Sequence, residues 1–315
     1  ARSDESRYAE FMRLLLRCGA PESIAWEDYP HIGTDRLRAV VVRLRKAIEK
    51  AGGEVRFSCR LDDLQWEEGR LSAACVNGEW RPVGALVLAT GYTAEETLKV
   101  LLARGGTLEA RPFQMGLRIE HPQSFLDERQ HRGFAAALPP ARYLLKAHPA
   151  GQRDCYSFCM CPGGEIVCSS SRPERLSVNG MSFRRRDGKR GNSALVVPLL
   201  PADFPSADPL AGMALVEQYE KLAFAAGGGN YRAPAQRPLD FLKGRDSSGE
   251  AYTTYRLGTT WARLDQLLPP AVAAAIKASL SILEHQLPGF LARGTFLGIE
   301  SRTTSPVRVI RDPET

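Results

Sequence analysis

Residues 84–106, GALVLATGYTAEETLKVLLARGG, restrict the fold more than any other stretch. The apolar run 85–89, bounded by turn formers, predicts a strand buried on both faces. Thr90-Gly91 breaks the run. Thr93 and Glu96 then stand at capping-box spacing, and Leu98, Leu101 and Leu102 give the next segment one apolar helical face. Arg104 and Gly105-Gly106 supply a basic last turn and a glycine stop. Strand, glycine turn and helix in succession imply an α/β fold. In open sheets of that kind ligands sit at the carboxyl ends of strands, where a glycine lets them approach the backbone. Thr90 and Gly91 are therefore candidate ligand contacts. An ordinary strand-to-helix turn has the same pattern and stays open as the alternative.

The flanking patterns extend this picture. Phe11, Leu14, Leu15 and Cys18 recur at helical spacing. Thr34 is placed to cap a helix over 35–50, whose stripe is Leu37, Val41, Leu44 and Ile48. Val55, Phe57, Cys59 and Leu61 alternate with polar residues, the period of a half-buried strand. Asn77-Gly78 predicts a hairpin between 70–76 and 79–83. From 111 to about 210 the helical period fades into short β-rich runs, which reads as a mainly β insert. A helix over 212–226, loop over 230–260, a helix over 270–285 and strands at 295–300 and 307–310 complete the chain.

With 315 residues the chain has room for one large domain or two ordinary ones. A net charge of +6 favours anionic partners such as dinucleotides, acidic metabolites or nucleic acid, or simply gives a basic surface. No apolar run reaches membrane-spanning length and the start carries no signal-peptide core, so no membrane partner is expected. Seven cysteines in no paired framework suggest reduced thiols and a cytoplasmic protein.

Cys155, Cys159, Cys161 and Cys168 fall close together. Thiolates are nucleophiles and soft ligands, but the spacing is not that of a zinc site, and no metal is assigned. The alternative is small buried hydrophobes on strands, with alternation placing Cys159 and Cys161 on one face. The basic run of Arg184, Arg185, Arg186, Lys189 and Arg190 could bind phosphate, yet Asp187-Gly188 marks a turn and the run reads better as a solvated loop. Without interleaved aromatics it argues against nucleic acid. His31, between Pro30 and Ile32-Gly33, is a conceivable base or a structural histidine. Gly227-Gly228-Gly229 ends a helix and so is no dinucleotide loop.

Together these segments resemble a family: the bacterial FAD-dependent dehydrogenase-like proteins, also called NAD(FAD)-utilising dehydrogenases. The segments that carry the resemblance are PHIGTDRLRAVV, LVLATGYTAEET, ARPFQMGLRIEHPQ, YSFCMCPGGEIV, VNGMSFRRRDGKRGNSALVV, GGGNYRAPAQR and GIESRTTSPVRVIRD. The resemblance implies an FAD/NAD(P)-binding flavoprotein-type α/β domain over 1–110 and 291–315, with a large mainly β, partly helical insert over 111–290. It implies FAD as cofactor, NAD(P)H as a conceivable electron donor, a small-molecule substrate and oxidoreductase activity. A non-catalytic flavoprotein-like scaffold binding RNA is the alternative. Relatives open with a glycine loop and close with a glycine-rich flavin motif. Neither occurs in these residues, so the chain reads as a fragment that would purify colourless by itself.

The same resemblance suggests roles for single residues. Leu61, Thr90, Gly91, Thr303, Ser305 and Pro306 are the expected cofactor contacts. Cys159 and Cys161 are expected near the substrate face of the flavin as thiols. Arg302 is expected to bind an anionic substrate group or to stabilise reduced flavin, the alternative being a surface pair with Glu300.

Overall fold

The computed structural model describes residues 5–91 and 93–311. Tyr92, within ATGYT, and residues 1–4 and 312–315, at the ends of the expected domains, lie outside the described residues.

Helices α1 (Glu5–Arg17) and α2 (Thr34–Lys50) share a small apolar cluster built on Cys18, Ala20, Ile24 and Val40. Gly33, not Thr34, is the N-cap of α2, and the Thr34 hydroxyl donates instead to the Ser182 carbonyl at 2.8 Å. That bond ties α2 to the far end of the chain's β-rich part. The expected stripe of α2 is largely exposed: Leu37, Val41 and Ile48 face outward while Val40 turns in. The alternating run at 55–61 is not a strand either. Strand β1 (Leu61–Glu67) begins where that run ends and forms a meander with β2 (Arg70–Val76) and β3 (Glu79–Pro82). Its turns carry paired positive φ angles, 50° and 77° at Glu68-Gly69 and 52° and 80° at Asn77-Gly78. This is the hairpin geometry that Asn-Gly favours.

The run 85–89 corrects the central expectation. It is not a strand, and Val87 is 88% exposed. A buried strand needs a hydrogen-bonding neighbour on each side, and among the described residues no strand pairs with this run. The helix after it does form, as α3 (Glu95–Ala103), but Ala94 is its N-cap and Thr93 does not cap it. Glu96 instead takes Arg172 at 2.5 Å. Strand β4 (Leu108–Ala110) follows.

The core lies in the next 190 or so residues. Strand β5 (Phe113–Pro122) leads to α4 (Gln123–His131), β6 (Lys146–Ala147) and β7 (Cys155–Cys161). A ribbon of β8 (Gly164–Cys168) and β9 (Val178–Ser182) precedes β10 (Arg190–Leu199) and α5 (Ala211–Ala226). Residues 230–260, expected as loop, contain β11 (Ala233–Gln236), α6 (Pro238–Lys243) and the start of β12 (Thr259–Trp261). Then come α7 (Leu264–Leu267), α8 (Pro270–Gln286), α9 (Phe290–Arg293), β13 (Thr295–Glu300) and β14 (Val307–Val309), the last paired with β4.

Among the described residues the large sheet has seven strands in the order β12-β11-β13-β5-β10-β7-β6, antiparallel except for the β11–β12 pair. Helix α8 packs along it, and the β8–β9 ribbon crosses β5, β7, β10 and β13. Alternation on β5 divides the labour: Phe113, Met115, Leu117 and Ile119 join the apolar core, while Arg118 and Glu120 bring charge into the interior. Strand β13, beyond the expected domain boundary at 290, lies between β11 and β5, so the large sheet continues to Glu300.

Candidate functional site

Strand β7 sets up the site. Phe158 lies opposite Ala194 and Cys161 opposite Asn192, so β7 carries one residue more than β10 between these pairs. Such a bulge re-aims a side chain. Cys159 takes it up with φ of 47°, and its side chain reaches the surface while Cys161 is buried. The two thiols therefore do not repeat along a regular strand face, as plain alternation predicts. Both line one cleft of about 720 Å³, within the range of small-molecule sites. Its other wall is the loop that enters α2, with Tyr29, His31 and Gly33, and its rim carries Arg142 and Arg186.

Beneath the cysteines lies a fully buried guanidinium. Arg118 donates from Nε to Asn192 Oδ1 at 2.8 Å, from Nη1 to Glu300 Oε2 at 3.2 Å, and from Nη2 to the Cys159 carbonyl at 2.8 Å. Nη2 also lies 3.5 Å from Cys161 Sγ. Four strands, β7, β9, β10 and β13, converge on this one side chain, the β9 contact being Asn179 at 3.4 Å. Gly180 makes the room: a Cβ there would fall 2.0 Å from Arg118 Nη2. Gly163 has a similar reason, since a Cβ there would sit 1.7 Å from the Arg186 carbonyl oxygen. The CPGG and VNG segments are thus close-approach points that bring β7, β9 and the arginine loop together.

The cleft's electrostatics follow. A hydrogen bond with Cys161 and the nearby Arg118 charge hold the Cys159 thiol well below its ordinary pKa, against the effect of burial. The same pairing with Cys159, together with burial, pushes Cys161 up. Burial lowers His31, whose Nε2 lies 3.1 Å from the Phe183 carbonyl and 3.4 Å from Ser182 Oγ. With its proton on Nε2 the ring donates to that carbonyl. Arg142 stacks on Tyr29 with its guanidinium 3.2 Å from the ring centre. Arg186, with φ of 54°, has a buried Nε that finds no partner among the described residues. The run 184–186 is therefore not one solvated loop: Arg185 is solvated, whereas the Arg184 amide donates to Asp35 Oδ1 at 2.8 Å and Arg186 faces the cleft.

The other expected site residues lie elsewhere. Arg302 does not pair with Glu300. It forks onto buried Glu220, at 3.0 Å and 3.1 Å, and donates to the Ser169 carbonyl and Ser171 Oγ. Together with Thr93 and Pro306 it lines a small cavity of about 30 Å³. Thr90 and Gly91 are exposed, and nothing approaches within 4 Å of a Cβ built at Gly91. Leu61 opens β1, half-buried. Thr303 Oγ1 bonds both the amide and the carbonyl of Gln114, and Ser305 Oγ donates to the Val307 carbonyl. The structure thus brings Cys159 and Cys161 together, and Arg302 and Pro306 together, at separate places.

Arg118, Asn192, Glu300 and Arg142 escaped the sequence reading as site residues, and Arg186, in a run that could bind phosphate, reads there as solvated loop instead. For Arg118 the local signal misleads: Arg118 and Glu120 alternate with Leu117 and Ile119 as on a strand with one wet face, yet both are buried. For Arg142 no local signal exists.

Among the described residues no helix is long and apolar enough to cross a membrane. Residues 112–303 match a family model described as FAD-dependent protein, C-terminal domain-like. An uncharacterized protein of Clostridium beijerinckii is 40% identical over 304 residues, 95% of this chain. The match takes in 57% of that relative, so the chain spans little more than half its length.

Proposed function

We propose a function from one premise: the chain belongs to the family of FAD-dependent proteins with this C-terminal domain-like region. The protein that carries it is an FAD-dependent oxidoreductase acting on a small anionic substrate at the Cys159 cleft. One observation carries the reading: the cleft offers a buried, unpartnered Arg186 Nε beside a thiol held toward its thiolate. A buried guanidinium donor without a partner is costly unless a ligand supplies the acceptor.

The residues present fit a flavin and an anionic substrate. Arg142 and Arg186 supply donors and positive potential for a phosphate or carboxylate. Thr90-Gly91 offers open backbone, close in sequence to Thr93 of the Arg302–Pro306 cavity, and these form the second candidate cofactor surface. The side chains of Thr303 and Ser305 are engaged internally, so their part, like that of Leu61, is to fix the backbone. Bound FAD would supply the two-electron chemistry. The chain's own residues would do the rest: Arg186 and Arg142 bind the anion, His31 holds the loop wall against Phe183, and Cys159 presents a nucleophilic sulfur. In domain terms, 1–110 and the segment after Glu300 form the flavin side, and the large sheet forms the substrate side.

The test is to purify the full gene product and measure released flavin. About one FAD per chain is expected, with Arg186→Gln weakening substrate binding while flavin stays bound. Bleaching by NADH or NADPH identifies the donor. A full product that neither carries nor takes up FAD overturns the reading. RNA binding that falls steeply with salt would favour the scaffold alternative.

A further inference from the structure

We propose that Cys159 and Cys161 are a redox-active dithiol that exchanges with small anionic disulfides entering the cleft and closes to an intramolecular disulfide. The inference shares its cleft with the oxidoreductase reading and rests on it for location only, since the exchange needs no flavin.

Three observations carry it. The first is placement: the bulge folds two cysteines separated by one residue so that Cys161 Sγ lies 3.5 Å from the Cys159 carbonyl, and both cysteines line the same cleft. The second is division of labour. Cys159 opens to the cleft and is held toward the thiolate, the form that attacks a disulfide; Cys161 is buried and held protonated, the form of a resolving thiol. The third is surroundings. Arg118 reaches the Cys159 carbonyl and the Cys161 sulfur, and Arg142 and Arg186 stand at the rim, which favours a disulfide bearing carboxylates over a neutral one. Cys155, on the same strand, provides contrast: it is fully buried and burial pushes its thiol up to about 12, so it is inert.

The chemistry balances. Cys159 thiolate attacks one sulfur of R–S–S–R, forming a mixed disulfide and expelling one thiolate, RS⁻. Cys161 then loses its proton and attacks Cys159 Sγ, forming the Cys159–Cys161 bond and expelling the second RS⁻. Both protein sulfurs are oxidised and one external disulfide is reduced to two thiols, which take up two protons, one from Cys161 and one from water.

The experiment incubates the reduced full gene product in graded mixtures of glutathione and glutathione disulfide, then maps alkylated cysteines by mass spectrometry. Cys159 and Cys161 are expected to leave the reduced pool together. Cys161→Ser is expected to trap glutathione on Cys159, whereas Cys159→Ser leaves Cys161 reduced. Arg186→Gln is expected to slow exchange with glutathione disulfide about tenfold and to leave exchange with neutral hydroxyethyl disulfide unchanged. Alkylation of Cys159 in the Cys161→Ser variant is expected to titrate below the ordinary thiol value of about 8.5. Cysteines 159 and 161 that stay reduced across the series, or a trapped adduct at another cysteine alone, overturn the proposal. Flavin content measured on the same samples separates the two readings: a closing pair without FAD sinks only the flavin reading, and FAD without a closing pair sinks only this one.

Discussion

Strand β10 and residues 85–89 are both short apolar runs, ALVVPL in the first and ALVLA in the second. Their surroundings are opposite. Ala194, Leu195, Val196 and Val197 are each 0% exposed, while Leu86, Val87 and Leu88 are all exposed. The difference is pairing. β10 has β5 on one side and β7 on the other, with α8 packed along it. The run 85–89 has no paired strand among the described residues. Apolar composition states that a segment gains by being covered; it does not supply the two backbone neighbours that satisfy its amides.

Matched substitutions break or sharpen that contrast. Val196→Asp places an unpaired carboxylate in the middle of the large sheet, at a cost of several kcal/mol, and is expected to abolish cooperative urea unfolding followed by circular dichroism. A folded Val196→Asp protein would mean that β10 is less enclosed than its neighbours require. Arg118→Ala comes next. It strands the Glu300 carboxylate and the Asn192 amide in the interior, for an expected loss of about 3–5 kcal/mol, read as a lower urea midpoint. Near-native stability would show that Arg118 does not hold the four strands together. The smallest effect belongs to Val87→Asp, expected within about 0.5 kcal/mol of the parent in the 315-residue chain. If the same change in the full gene product costs several times more, another part of that protein covers the run.

What the sequence discloses differs between these regions for physical reasons. Local signals performed well: Asn77-Gly78 gave its hairpin because the turn geometry is set by the two residues themselves. The helices at 211–226 and 270–286 were legible from their periods and stops. Failures came where the outcome depended on remote partners. Thr34 has a capping side chain, but Ser182, 148 residues away, offers its hydroxyl a carbonyl. Alternation placed Cys159 and Cys161 on one face, and one extra residue in β7 undid it. Arg302 has Glu300 two residues away, yet among the described residues it pairs with Glu220. The site was half legible: its thiols stand out in FCMCPGG, while the arginines that charge it come from 118, 142 and 186, and only folding unites them.

The Arg118–Glu300 pair also orders events in time. The two residues are 182 positions apart in the chain. At a ribosomal pace of about 5–20 residues per second, roughly 10–40 s separate their emergence. Through that interval β5 and β10 can pair, but the place of β13 beside β5 stays vacant and the guanidinium lacks its counter-charge. An interior strand of the sheet is therefore the last of its strands to be synthesised. The nascent chain carries an open β5 edge throughout that interval, a surface that invites holding by a chaperone until Glu300 arrives.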